Sequence, residues 1–456
     1  MPANIRILFD NHYATFYAGQ TVTGRVIVTV DKPKKLRAIT INFKGEAEVK
    51  WTETERKKDS QGKDYDDQVI YKATETYYEN KYHLLGSESG EIELNPGEYS
   101  YPFTCQIPIS VPSSFEGEHG YIRYTVKATL DRPWKFDQES KAAFTVVAPL
   151  DLNTLPQAKE PIEFEKVKNF CCLWCKSGPL TLTVKVPAGG FVPGQTIPFQ
   201  VEIENGSNIR VRPINCVLRK EVTWHARDPI HKTQKTKTTL GELAVDDEVK
   251  PHESKSFSKD IIVPAIPPSN LANCGIIDLE YILKIEAVVS GFHKNVSARI
   301  PVVMGTIPLL TGPTAYKPGG TAVVQPGQPS PNPASPAKPA QLPSPTLGLV
   351  PIPTPSLSPA PAPAPAPAPG SQVGGGWNLP PAAAPSTPPS TNPSTAPSAP
   401  PLYPQLPPPS YEESIWKGNS IKDSTDNEHT MGIQDFTPRY PVWTFDPVAP
   451  PAAQAP

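Results

Sequence analysis

Apolar and polar residues alternate one by one through long stretches of the first three hundred positions. In "YIRYTVKATL", Ile122, Tyr124, Val126, Ala128 and Leu130 fall on one side and Arg123, Thr125, Lys127 and Thr129 on the other. "LTLTVKV" sets Leu180, Leu182, Val184 and Val186 against Thr181, Thr183 and Lys185. "RVIVTV" from Arg25 and "IPFQVEIE" from Ile197 follow the same rule. A period of two predicts strands with one buried face. No comparable stretch has a helical period, so the pattern predicts an all-β chain of antiparallel sandwiches.

The pattern also repeats. "FYAGQTVTGRVIV" from Phe16 is matched by "FVPGQTIPFQVEI" from Phe191, "IRYTVK" from Ile122 by "LEYILK" from Leu279, and "AAFTVV" from Ala142 by "ARIPVV" from Ala298. Three echoes in one order predict two copies of one sandwich, over residues 1–150 and 160–306. "APLDLNTLPQAKEP" forms the hinge between them. Gly19 and Gly194 each supply the turn that launches a strand.

Composition breaks near residue 306. Most of the 60 prolines lie beyond it, with Ala, Ser, Thr and Gly between them. Such a segment buries little and lacks backbone donors at every proline. A disordered Pro/Ala/Ser-rich tail with extended polyproline-II stretches is therefore expected over 307–456. Formal net charge is −2, which gives no basic excess for a nucleic-acid surface. No apolar run has the length of a signal peptide or a bilayer span, so a cytoplasmic or peripheral protein is expected. The six cysteines have no spacing of a secreted disulfide framework.

No segment has the pattern of an enzyme site. The eight histidines are scattered, and no nucleophile motif or phosphate-cradling glycine loop is present. Cys172 and Cys175 have CxxC spacing, but an all-β context offers no helix N-terminus for a redox site and no second ligand pair for zinc. Cys171, Cys172 and Cys175 are read as part of a hydrophobic lead into the second sandwich, with acylation or redox sensitivity as the alternative. No cofactor is expected. "TETERKKDSQGKDYDDQ", Thr52 to Gln68, reads as a solvated hairpin loop. Lys32, Lys34, Lys35 and Arg37 read as surface charge, with an acidic receptor tail or anionic lipid as the functional alternative.

Two motifs in the tail carry recognition chemistry. Pro400-Pro401-Leu402-Tyr403 and Pro408-Pro409-Ser410-Tyr411 both read PPxY. A preformed polyproline-II backbone loses little entropy on docking, and a following tyrosine suits the groove of a WW domain. Of the four tail tyrosines, Tyr316, Tyr403, Tyr411 and Tyr440, two carry the full motif. "EESIW" after Tyr411 mixes acidic and apolar residues as a short docking helix would. Tyr411 is accordingly expected to matter more than Tyr403. "FTPRYPVW" around Tyr440 has one proline where the motif needs two. Pro397-Ser398-Ala399-Pro400 reads PSAP, a tetrapeptide that binds ESCRT-I, and it shares Pro400 with the first PPxY.

Several segments resemble the arrestin domain-containing proteins, the α-arrestins of animals. They are "GQTVTGRVIV", "PSSFEGEHGYIRYTVKATLDRPWKFDQ", "APLDLN", "CCLWCKSGPLTL" and "GTIPL". The resemblance implies two arrestin-like sandwiches followed by a tail that recruits WW-domain HECT ubiquitin ligases. It implies a non-catalytic adaptor for membrane-protein cargo, receptors or transporters, acting in ubiquitination, endocytosis and sorting. Its expected place is the cytoplasm, peripheral at the plasma membrane and endosomes. The alternative is an ESCRT-I-recruiting factor for plasma-membrane budding. One branch of the family forms a mixed disulfide with thioredoxin. The corresponding stretch here reads "HESKSF", with Ser254 and no cysteine.

Overall fold

The computed structural model describes residues 3–172, 175–176, 178–317, 406–416 and 418–445. The predicted alternation becomes strand Gly120–Asp131, in which Ile122, Tyr124, Val126, Ala128 and Leu130 are fully buried. This strand lies mid-sheet, antiparallel to Gln138–Val147 on one side and to Ala38–Lys58 on the other. The edges are Thr15–Tyr17, parallel to Gln138–Val147, and Asp64–Gly86. A second sheet of Asn4–Phe9, Thr21–Val30 and Gly97–Gln106 completes the first sandwich.

The duplication read from sequence is a duplication of topology. The second sandwich carries Ile277–Val289 mid-sheet between Val296–Met304 and Val211–Ala226. Its edges are Gly190–Phe191, again parallel, and Lys232–Val245. The facing sheet runs Ile162–Lys168, Leu180–Val186, Thr196–Asn205 and Glu253–Ile262.

The echoed residues perform the same tasks in both copies. Gly19 and Gly194 have φ of 87° and 86°, the left-handed region open to glycine. The adjacent Gln20 and Gln195 accept backbone N–H bonds from Tyr17 at 2.8 Å and Val192 at 3.1 Å. Tyr124 donates its hydroxyl to the carbonyl of Pro112 at 2.5 Å, and Tyr281 donates to that of Pro267 at 2.8 Å. Each satisfies a buried hydroxyl inside an otherwise apolar core.

Three sequence expectations need adjustment. Thr52 to Gln68 is chiefly strand: Ala38–Lys58 and Asp64–Gly86 run through it as a long hairpin arm. Only residues 59–63 turn, where the Asp59 carboxylate accepts the backbone N–H of Gln61 and Lys63. The expected unpacked tail does not hold for 406–445, which folds against both sandwiches because aromatic residues return there. The expected helix after Tyr411 does not form over the described residues 412–416; Ser410–Glu413 is a strand, because it pairs with Arg439–Val442.

Candidate functional site

The two mid-sheet strands that echo each other differ on their outer faces. In the second sandwich, Asp278 and Glu280 point to solvent. In the first, Arg123 is 5% exposed, and Thr125, Ser140 and Lys141 are also buried. Polar side chains on an outer face are buried only when something covers them, and the cover is the segment 406–445.

The segment holds on through aromatic anchors at one end and charge at the other. Tyr440 is fully buried and donates its hydroxyl to the carbonyl of Ser114 at 2.9 Å. Trp443 is buried too; its indole N–H donates to the carbonyl of Thr306 at 3.0 Å, and its ring meets Tyr316 edge-on at 5.6 Å. The backbone N–H of Trp443 donates to Pro193 O at 3.0 Å, so one residue ties the segment to the second sandwich. Gly194 permits this approach, since a Cβ there would meet the Trp443 carbonyl at 2.1 Å. Trp416 covers the Lys220 ammonium, which lies 3.3 Å from the ring centroid. Burial lowers the Lys220 pKa to about 7.

At the charged end, Arg123 is held by Glu116 at 2.5 and 2.8 Å and donates to the carbonyls of Ser420 at 2.9 Å and Asn419 at 3.4 Å. The Lys141 ammonium lies 2.6 Å from Asp423 and 2.9 Å from Asp426, and Lys127 lies 2.7 Å from Asp426. Burial alone would raise the Asp423 carboxyl. Bonds from Lys141 and from the hydroxyl and N–H of Thr425 outweigh it and bring the pKa down to about 2. Thr430–Met431 adds a short parallel pairing to Glu139 and Ser140.

Of the sequence-predicted recognition residues, Pro408, Pro409 and Tyr411 fall in this segment. Pro408 is exposed, whereas Pro409 is buried and Tyr411 is 5% exposed. The Tyr411 ring packs on Tyr13 at 5.7 Å, and its hydroxyl donates to that of Tyr17 at 3.2 Å. Burial pushes the Tyr411 pKa up to about 12. Strand Ser410–Glu413 pairs antiparallel with Arg439–Val442, reinforced by Arg439 to Glu413 at 2.7 Å. Pro400, Pro401 and Tyr403, and the tetrapeptide Pro397, Ser398, Ala399 and Pro400, lie outside the described residues.

The other candidates give less. Lys35 pairs with Glu91 at 2.8 Å and Arg37 with Asp131 at 2.5 Å, so both charges are met within the fold. The backbones of Cys172 and Cys175 are register partners in a two-residue antiparallel pairing. Among the described residues, no three His, Cys, Asp or Glu side chains gather as a metal site. None of the helices described is long and apolar enough to cross a membrane.

Comparison with known proteins agrees with this architecture. Residues 5–153 match the family model for the arrestin (or S-antigen) N-terminal domain, and 176–309 match its C-terminal domain. The chain is 31% identical over 315 residues to arrestin domain-containing protein 17 of Caenorhabditis elegans, covering 67% of this chain and 71% of that one. It is 30% identical over 309 residues to arrestin domain-containing protein 4 of Homo sapiens, covering 66% and 70%. With arrestin domain-containing protein 1 of Rattus norvegicus it shares 28% over 303 residues, covering 66% and 64%. Two tandem sandwiches of this topology define an arrestin fold. The chain belongs to the arrestin domain-containing family.

Proposed function

We propose that this chain is a non-catalytic adaptor that brings a WW-domain HECT ubiquitin ligase to membrane-protein cargo. The arrestin pair holds a receptor or transporter, and the PPxY motifs at Tyr403 and Tyr411 hold the ligase. Ubiquitin transfer then follows from proximity, through a raised effective concentration. The place of action is the cytoplasmic face of the plasma membrane and endosomes. One observation carries the reading: two complete PPxY motifs, eight residues apart, follow two arrestin domains in a tail otherwise poor in tyrosine. The family supports an adaptor in general, and the motif chemistry supports this class of ligase. The test is binding of purified tandem WW domains to the full chain and to Tyr403→Ala with Tyr411→Ala. Binding by the first and loss by the second is expected. Equal binding by both refutes the reading.

A further inference from the structure

The second PPxY motif is asked to do two incompatible things. A WW domain takes the motif by laying its prolines in an aromatic groove and its tyrosine ring in a neighbouring pocket. In this protein Pro409 and Tyr411 are already buried, and Tyr411 sits against Tyr13 and Tyr17 of the first sandwich. The backbone of Ser410–Glu413 is also engaged, as a strand against Arg439–Val442. One tyrosine ring cannot occupy two pockets. We propose that the docked segment 406–445 withholds Pro408-Pro409-Ser410-Tyr411 from WW domains, so that the arrestin core and the ligase compete for Tyr411. The inference rests on the adaptor reading above and adds to it a closed state of the ligase-binding site.

The closed state is held by residues remote from the motif in sequence. Strand Arg439–Val442 is the partner of Ser410–Glu413, and it is pinned to the core by Tyr440 in the protein interior and by the Arg439 N–H donating to the Thr145 hydroxyl at 3.1 Å. Between the two strands the chain closes on itself at Gly418, where a Cβ would stand 1.4 Å from the carbonyl oxygen of Phe436. No side chain fits there without separating the two arms. Asp423 and Asp426 then fasten the loop to Lys141 and Lys127. Alignment of the motif with its partner strand therefore depends on Tyr440 and Gly418, neither of which is part of the WW ligand.

A ligand whose binding-competent state is a fraction of the population binds more weakly by that fraction. The deficit is measurable when the other motif is silenced. The chain to use is full length with Tyr403→Ala, titrated with a single purified WW domain. The reference is a synthetic peptide covering residues 404–416, which has the motif and no core to dock on. The prediction is affinity at least tenfold weaker for the chain than for the peptide. Adding Tyr440→Ala, or separately Gly418→Ala, should recover most of that gap, and Tyr411→Ala should abolish binding. The two release variants act through different contacts, and thermal unfolding of each verifies that the sandwiches remain folded. Equal affinity of the chain and the peptide overturns the proposal, whatever the variants do. A weak chain that stays weak in both folded release variants also overturns it, because the deficit then has another cause. A peptide that binds no WW domain overturns the assignment of Pro408-Pro409-Ser410-Tyr411 as a ligase motif and this proposal with it, while recruitment through Tyr403 is tested by the double variant above. That failure is separate, since the peptide carries no dock.

Discussion

Replacing Trp443 with alanine should open the docked segment without unfolding the sandwiches. Trp443 is 3% exposed, lies edge-on to Tyr316 and donates its indole N–H to Thr306. Truncating a buried tryptophan to alanine costs about 3–5 kcal/mol. The Thr306 carbonyl regains water once the segment leaves, so no separate penalty for an unpaired acceptor is added. At 1.4 kcal/mol per factor of ten, the open population rises by roughly two to three and a half orders of magnitude, until it saturates. Trypsin cleavage after Lys422, in the middle of the segment, reports that population when closing is fast relative to cutting. The cleavage rate should rise by the same factor, while the thermal transition of the sandwiches moves little. An unchanged cleavage rate would refute the reasoning. So would a loss of sandwich stability of the full 3–5 kcal/mol, since Trp443 would then belong to the core fold and not to a detachable segment.

Other outcomes follow from the same contacts. In the closed chain Tyr403→Ala should reduce ligase binding more than Tyr411→Ala, the reverse of the ranking the sequence suggests, and paired WW titrations of the two variants decide it. Docking should weaken in acid: an Asp423 pKa of about 2 when docked, against about 3.9 when free, stabilises docking above pH 4 and is lost as pH falls toward 2. The contribution is about 1–2 kcal/mol after allowance for screening, so trypsin-independent readouts such as Trp fluorescence should show opening in that window for the native chain and a flatter profile for Asp423→Asn. Tyr124→Phe and Tyr281→Phe should each destabilise their sandwich by about 1–3 kcal/mol, because each leaves a buried carbonyl of Pro112 or Pro267 without its donor. Calorimetry showing a loss for one variant and none for the other would contradict the equivalence of the two corners.

The strands were legible because each long one buries a single face of its own sheet, which writes a period of two into the sequence. The duplication was legible for a more specific reason. The F-x-x-G-Q-T echo encodes a left-handed glycine and a glutamine that caps a backbone N–H, and both copies need both groups. The dock left a weaker trace. Its pairings are two to four residues long, too short for a period to emerge, and its partners lie hundreds of positions away, as Tyr440 does from Ser114. Arg123 looked like an outward polar residue because its covering carbonyls, at Asn419 and Ser420, belong to that distant segment. One signal was present: Trp416, Phe436, Tyr440, Trp443 and Phe445 return within thirty residues of a tail of Pro, Ala and Ser. Aromatic residues at that density have surface to bury, and they mark where the tail folds.

Hydrogen exchange on the full-length Tyr403→Ala chain, with and without a saturating WW domain, puts the competition for Tyr411 to its most direct test. Without the WW domain, the amides of Ser414, Ile421, Phe436 and Trp443 should be protected, since each donates to a backbone carbonyl in the docked form. With the WW domain bound at Pro408-Pro409-Ser410-Tyr411, those of Ser414 and its neighbours in Ser410–Glu413 should lose that docked-state protection, and the partner strand Arg439–Val442 should exchange faster. The amides of the central strands Gly120–Asp131 and Ile277–Val289 should stay protected throughout. If the WW domain binds the motif while the exchange of Arg439–Val442 and Ser414 is unchanged, the ligase and the core do not compete for Tyr411, and the closed state has no bearing on recruitment.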